Sequence, residues 1–175
     1  MSEENPEKSS SKANIAFIIF FIILIILIFL YYWLPHPLRE QPPRFVCASK
    51  LKQINLALYM YADDYSGVYP TPEKWCDLIV PYLGQKIDDI DKKMFCCPGA
   101  KDGKCHYAIN PNCEPNSPHD IVLLFETKGG WNQFGGHELL TTENHEEVAC
   151  NIGFNDGSVS FIKEEEIKDL KWSDD

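Results

Sequence analysis

Hydrophobic and polar positions fall into three patterns along the chain. The first is a run of twenty residues without a charge, Ile15 to Leu34, almost all Ile, Leu or Phe. It is apolar on every side, so it lacks the polar stripe of a helix packed on a globular core. As a helix it spans roughly 30 Å, the hydrocarbon thickness of a bilayer. Tyr31, Tyr32 and Trp33 cluster at one end, where amphipathic rings favour the interface, and Pro35 and Pro37 stop the helix. The expectation is a transmembrane helix over 14–34, acting as an uncleaved signal anchor because no small-residue cleavage site follows the run. A polar, disordered tail is expected over 1–13 and a stiff proline-rich linker over 35–44.

The second pattern has helical spacing. Cys47, Leu51, Ile54, Leu58, Tyr61 and Tyr65 recur at intervals of four and three, with Ser49, Lys50, Lys52, Gln53 and Asn55 on the other faces. Gly67 is the stop. One long apolar face needs something flat to cover, most simply a sheet. A shorter helix is expected after Thr71, with Pro72 in its first turn, Trp75, Leu78, Ile79 and Tyr82 on its apolar face, and Gly84 at its end.

The third pattern is extended. Met94–Cys97, Cys105–Ile109 and Asp120–Glu126 are short runs of β-formers. Ala149–Asn155 and Ser158–Lys163 flank Asp156-Gly157, a favoured two-residue type I′ turn. That turn sets Phe154 opposite Val159 and Ile152 opposite Phe161. Cys150, Ile152, Phe154, Val159 and Phe161 then share the buried face. Glu164–Leu170 reads as a short acidic helix. The 45–175 segment is therefore α+β, an amphipathic helix packed on a small antiparallel sheet, with no internal repeat.

Charge narrows the partners. The chain has 16 Lys+Arg against 26 Asp+Glu, a formal net charge of −10, which argues against nucleic acid because phosphate binding needs a basic patch. Sidedness is read from two opposing signals. Arg39, Arg44, Lys50 and Lys52 after the apolar run favour a cytoplasmic domain, but long domains translocate largely regardless of charge. All seven cysteines follow the run, and cysteine-rich small domains are typical of oxidising compartments. The expectation is a single-pass inner-membrane protein, with the lipid bilayer as one partner and the domain extracytoplasmic.

Three stretches resemble the pseudopilin-like proteins of type II secretion and pilus-like systems. The first is the helix from Cys47-Ala48-Ser49-Lys50-Leu51 to Tyr65, running into Gly67 and Tyr69-Pro70. The second is Phe95-Cys96-Cys97-Pro98 followed by Tyr107-Ala108-Ile109-Asn110. The third is His145 followed by Asp156-Gly157, similar to a C-terminal motif of His, about nine residues, then Asp-Gly; here ten residues intervene and Ser158 stands where a His often follows. The resemblance covers roughly 45–163. It implies a pilin-like head and a structural, non-enzymatic role, with envelope proteins of a secretion or pilus-like assembly as partners. Calcium near the C-terminal loop is associated with the class, but its ligands do not map here residue by residue; no other cofactor is expected. The chain departs from the family in lacking the prepilin cleavage site and the Glu inside the apolar run, so it reads as a pseudopilin-like head on an ordinary anchor.

Candidate chemistry is sparse. Cys96, Cys97, Cys105 and Cys113 with His106 and His119 lack the paired Cys-x₂₋₄-Cys spacing of familiar zinc sites. Disulfides are the favoured reading, with Cys76, Cys96, Cys97, Cys105 and Cys113 as candidates, one thiol at least left over, and the pairing open. Cys47 and Cys150 sit on apolar faces and read as small buried hydrophobes. Gly129-Gly130-Trp131-Asn132-Gln133-Phe134-Gly135-Gly136 reads either as a recognition loop or as a connection plugged onto the core by Trp131. The residues singled out for interaction are Trp131, Gly135, Gly136, His145, Asp156 and Gly157. The competing function is a metal-binding or hydrolytic enzyme using His137, His145 and Asp156. No P-loop, nucleophile elbow, His-Glu-x-x-His or dinucleotide fingerprint is present.

Overall fold

A computed structural model describes residues 6–33, 41–84, 92–101, 103, 105–146 and 148–174. Two compact units divide at residues 40 and 41. The first contains helix α1, Pro6–Trp33, which takes in residues 6–13 of the segment expected to be a disordered tail. Among the described residues no helix is long and apolar enough to cross a membrane. The described side chains of α1 run from Phe17 to Tyr32, all exposed. The lack of such a helix among the described residues overturns the expected transmembrane helix over 14–34, and with it the signal anchor and the single-pass, extracytoplasmic placement. Most of the expected linker, 35–40, lies outside the described residues, as does Leu34.

The second unit is α+β. Helix α2, Pro43–Asp64, begins with proline at its first position, where a missing N–H costs nothing, so Pro43 and Arg44 belong to the helix and not to a linker. Cys47, Leu51, Ile54 and Leu58 are fully buried along its inner face. Burying each of these Leu and Ile side chains contributes about 1.5–3 kcal/mol. Tyr65 leaves that face; it is exposed and stacks on Tyr61 at 4.2 Å. Gly67, at φ 75°, returns its N–H to the Ala62 carbonyl and closes the helix. The second helix is shorter than its periodicity suggested: a 3₁₀ turn (Pro72–Lys74), α3 (Trp75–Ile79) and another 3₁₀ turn (Val80–Leu83), ended by left-handed Gly84. Trp75 and Ile79 point inward, as expected.

Four antiparallel strands form the sheet in the order β1 (Tyr107–Ile109), β2 (Val122–Glu126), β3 (Ala149–Phe154) and β4 (Val159–Lys163). Met94–Cys97 is not a strand; its first half falls in a 3₁₀ turn, Lys92–Phe95, held against α2 by Lys50, whose Nζ donates to the Lys93 and Cys96 carbonyls. The acidic tail is a 3₁₀ helix, Glu164–Asp169.

The β3–β4 hairpin forms, but one residue out of the expected register. Gly153 pairs with Val159, Ile152 with Ser160 and Asn151 with Phe161. The Phe154 N–H donates to the Ser158 carbonyl, leaving Asn155, Asp156 and Gly157 as the loop, with only Gly157 at positive φ (81°). A three-residue loop of this kind ends in a left-handed residue, whereas a type I′ turn needs two. The slip turns β4 over. Val159 joins the α2 side of the core, while Cys150, Ile152, Phe154 and Ile162 share a second cluster with Val122, Phe125 and Trp172. Both faces of β3 are therefore covered, and Asn151 and Gly153 lie on the face toward α2. Asn55 of α2 donates to the Phe154 carbonyl at 3.1 Å, and Tyr59 donates to that of Asn155.

Candidate metal centre

The corrected register lays a row of residues across the sheet. Tyr107 of β1 pairs with Glu126 of β2. Phe125 pairs with Ile152, which sets Glu126 beside Asn151 of β3, and Asn151 pairs with Phe161 of β4. Glu126 ends an otherwise apolar strand and is completely buried. A carboxylate in that position needs partners. Asn151 supplies two, its backbone N–H to Oε2 at 2.9 Å and its side-chain amide to Oε1 at 3.1 Å. The third is His145, whose Nε2 lies 3.0 Å from Oε1 with its side chain only 4 % exposed.

Two cysteines complete the group. Cys47 comes down from the first turns of α2, and Cys97 comes in after the 3₁₀ turn that Lys50 holds. Their sulfurs are 2.7 Å apart, with the Cys47 thiol donating, and Cys97 Sγ is 3.8 Å from His145 Nε2. One donor atom from each of Cys47, Cys97, Glu126 and His145 lies within 4.8 Å of all the others.

The electrostatics follow from this crowding. The Cys47 hydrogen bond, helped by His145, pulls the Cys97 thiol down to about 5 against the opposing effect of burial. Cys47, donating to Cys97 and buried, is pushed well above the usual thiol range. Burial lowers the His145 imidazolium, but hydrogen bonds to Cys97 and Glu126 outweigh it and raise it to about 9. A cysteine pair, a carboxylate and an imidazole gathered in one buried pocket are features of a built site.

Two surrounding residues, Gly99 and Tyr107, fit a metal-bound thiolate pair. The Gly99 N–H donates to Cys97 Sγ across the Cys97-Pro98-Gly99 turn. A Cβ on Gly99 would stand 2.1 Å from the Asn144 carbonyl oxygen, so only glycine allows this turn to lie against the segment carrying His145. The buried Tyr107 hydroxyl has no hydrogen-bond partner at full geometry, and it faces the Cys47 sulfur. An orphaned buried hydroxyl costs about 1–3 kcal/mol, and a thiolate there would accept from it.

The residues singled out from sequence fare unevenly. His145 and Cys97 are in the group; Cys47 and Glu126 are the ones sequence reasoning passed over. His137 and Asp156 do not join His145. His137 is exposed beside Glu138, with its ring 6.3 Å from Trp172. Asp156 serves the hairpin, accepting from the Ser158 N–H at 2.8 Å, a contact that lowers its carboxyl. Trp131 packs on Phe95 at 5.0 Å between ring centres and donates from Nε1 to Asp77. The glycine-rich segment is laced along β1: Gly130 donates to the Cys105 carbonyl, Gly135 donates to the Ile109 carbonyl, and the Ile109 N–H donates to the Gln133 carbonyl. Gly136 donates to Glu138 Oε1. The loop thus covers the outer edge of β1, as edge strands require.

All seven cysteines are thiols. Among the disulfide candidates, Cys76 and Cys105 meet at 3.9 Å. Cys97 faces Cys47 instead of another candidate. Cys96 is partly exposed near the Gly103 carbonyl, and Cys113 is buried, its thiol raised to about 12 by that burial.

No family model, no characterised protein and no solved structure matches the chain, so the likeness to pseudopilin-like proteins rests on the quoted motifs.

Proposed function

We propose that residues 41–175 form a structural or interaction domain locked by one transition-metal ion of the zinc class, held by Cys47, Cys97, Glu126 and His145. The observation that carries this reading is the convergence of four buried donor atoms within 4.8 Å, each from a different part of the fold. Two sulfurs, an imidazole nitrogen and a carboxylate oxygen suit tetrahedral zinc. They do not suit calcium, which takes six to eight oxygens. Four protein donors fill a tetrahedron and leave no position for water or substrate, which favours a structural role over hydrolysis. The ion would tie α2 and the Cys97 turn to β2 and to the segment before β3. Packing of α2 on an antiparallel sheet is also what the pseudopilin-like resemblance implies for an assembly head.

The test is metal analysis of the full chain together with cobalt substitution. One equivalent of zinc is expected, as are thiolate-to-cobalt charge-transfer bands with tetrahedral visible absorption. Both are expected to be lost in Cys47→Ser and weakened in Glu126→Gln. Absence of stoichiometric zinc from protein prepared with zinc present, or full retention in Cys47→Ser and Cys97→Ser, overturns the reading.

A further inference from the structure

The sulfurs of Cys47 and Cys97 stand 2.7 Å apart. A disulfide closes at about 2.05 Å, whereas two thiolates at about 2.3 Å from a tetrahedral zinc stand about 3.8 Å from each other. The pair lies between those geometries, within about 1 Å of each. Cys76 and Cys105, at 3.9 Å, have no comparable closeness.

A cavity of about 470 Å³ lies next to the pair, lined by Arg44, Gly99, Lys101, His145, Glu146 and Phe161, with neither sulfur in its wall. Gly99 and His145 separate it from Cys97, whose sulfur lies 3.8 Å from His145 Nε2. Its charged lining is mixed, Arg44 and Lys101 with Glu143 and Glu146, and Glu143 pairs with Lys128 at 2.9 Å.

From this we infer that Cys47 and Cys97 are a site of reversible oxidation by small-molecule disulfides, and that the disulfide and the metal-bound state exclude each other. The inference rests on the metal reading of the same residues. In the metal-free protein the Cys97 thiolate attacks one sulfur of the oxidant, forming a mixed disulfide and expelling one thiolate. The Cys47 sulfur then attacks Cys97 Sγ, the Cys47 proton passes to a released thiolate, and the second oxidant thiolate leaves. Two electrons move from the cysteine pair to the oxidant, which is reduced to one thiol and one thiolate. A bound ion blocks the first attack by occupying both sulfurs.

The experiment uses the full chain, stripped with chelator or loaded with zinc, and exposed to oxidised glutathione. The readouts are thiol counting and peptide mapping without reductant. The stripped protein is expected to lose two of its seven thiols, in a peptide pair joining Cys47 to Cys97, while the loaded protein keeps all seven. Reductant followed by zinc is expected to restore the loaded form. Cys96→Ser, which removes the neighbouring thiol and leaves the pair intact, is expected to give the same two-thiol loss. A stripped protein that rebinds zinc but forms no Cys47–Cys97 disulfide overturns the redox inference and leaves the metal centre standing. A disulfide in a chain that binds no zinc overturns the metal centre and the exclusion together. Equal oxidation with and without zinc overturns the exclusion alone.

Discussion

Cys76 and Cys105 meet 3.9 Å apart in a cluster with Trp75, Ile79 and Phe95, and neither is exposed. Cys47 and Cys97 meet 2.7 Å apart outside that cluster, almost equally buried. The first pair behaves as small hydrophobes. Burial drives the Cys76 thiol far up, and its backbone N–H is the group that finds a polar partner, Asn132. In the second pair Glu126 and His145 complete a donor set, and the thiol protons are unequally shared. Burial is common to both pairs. The difference is the company that β2 and the segment before β3 bring alongside.

The sharpest way to break this comparison is to swap serine into each pair. Cys97→Ser is expected to abolish zinc binding. At free zinc of about a thousand times Kd this removes about 4 kcal/mol of stability, read as a fall in Tm to the chelated wild-type value. Cys76→Ser is expected to keep one equivalent of zinc. Loss of zinc in both would show that the pairs are not distinct. Next in size is Gly99→Ala. The clash with the Asn144 carbonyl displaces both the Cys97 turn and His145, and zinc affinity by competition with a chelator is expected to fall about 10–100-fold. Tyr107→Phe sharpens the contrast through opposite signs. Metal-free stability in urea is expected to hold or rise by about 1 kcal/mol, because an unpartnered hydroxyl is removed. Zinc affinity is expected to fall about tenfold, because a donor to the Cys47 thiolate is lost. The smallest effect is Cys76→Ala, a loss of about 1 kcal/mol that is equal with and without zinc.

Much of the fold was legible in the pattern of side chains. The spacing of Cys47, Leu51, Ile54 and Leu58 announced α2, and the alternation around Asp156-Gly157 announced a hairpin. What could not be read was which of two loop lengths closes it. Asp-Gly serves a two-residue turn or the end of a three-residue one, and the choice moves Phe161 and Val159 to the opposite face. Met94–Cys97 misled because β-forming side chains do not register the pull of Lys50 on two carbonyls. The metal centre was harder still. Its donors have no local spacing: Cys47 and Cys97 are 50 residues apart, and Glu126 and His145 are 19 apart. The one signal available was Glu126 itself, a charge closing the apolar run Val122-Leu123-Leu124-Phe125. Cys47 gave none, since a thiol on an apolar helical face looks the same whether it packs or ligates.

The wide separation of those donors has a kinetic consequence. All four become neighbours only when α2, the Cys97 turn, β2 and the segment before β3 have docked, so the fully ligated ion belongs to the finished fold. Contacts absent from the transition state slow unfolding and leave the folding rate nearly untouched. Zinc should therefore act as a late clasp, lengthening the lifetime of the finished domain without hastening its formation.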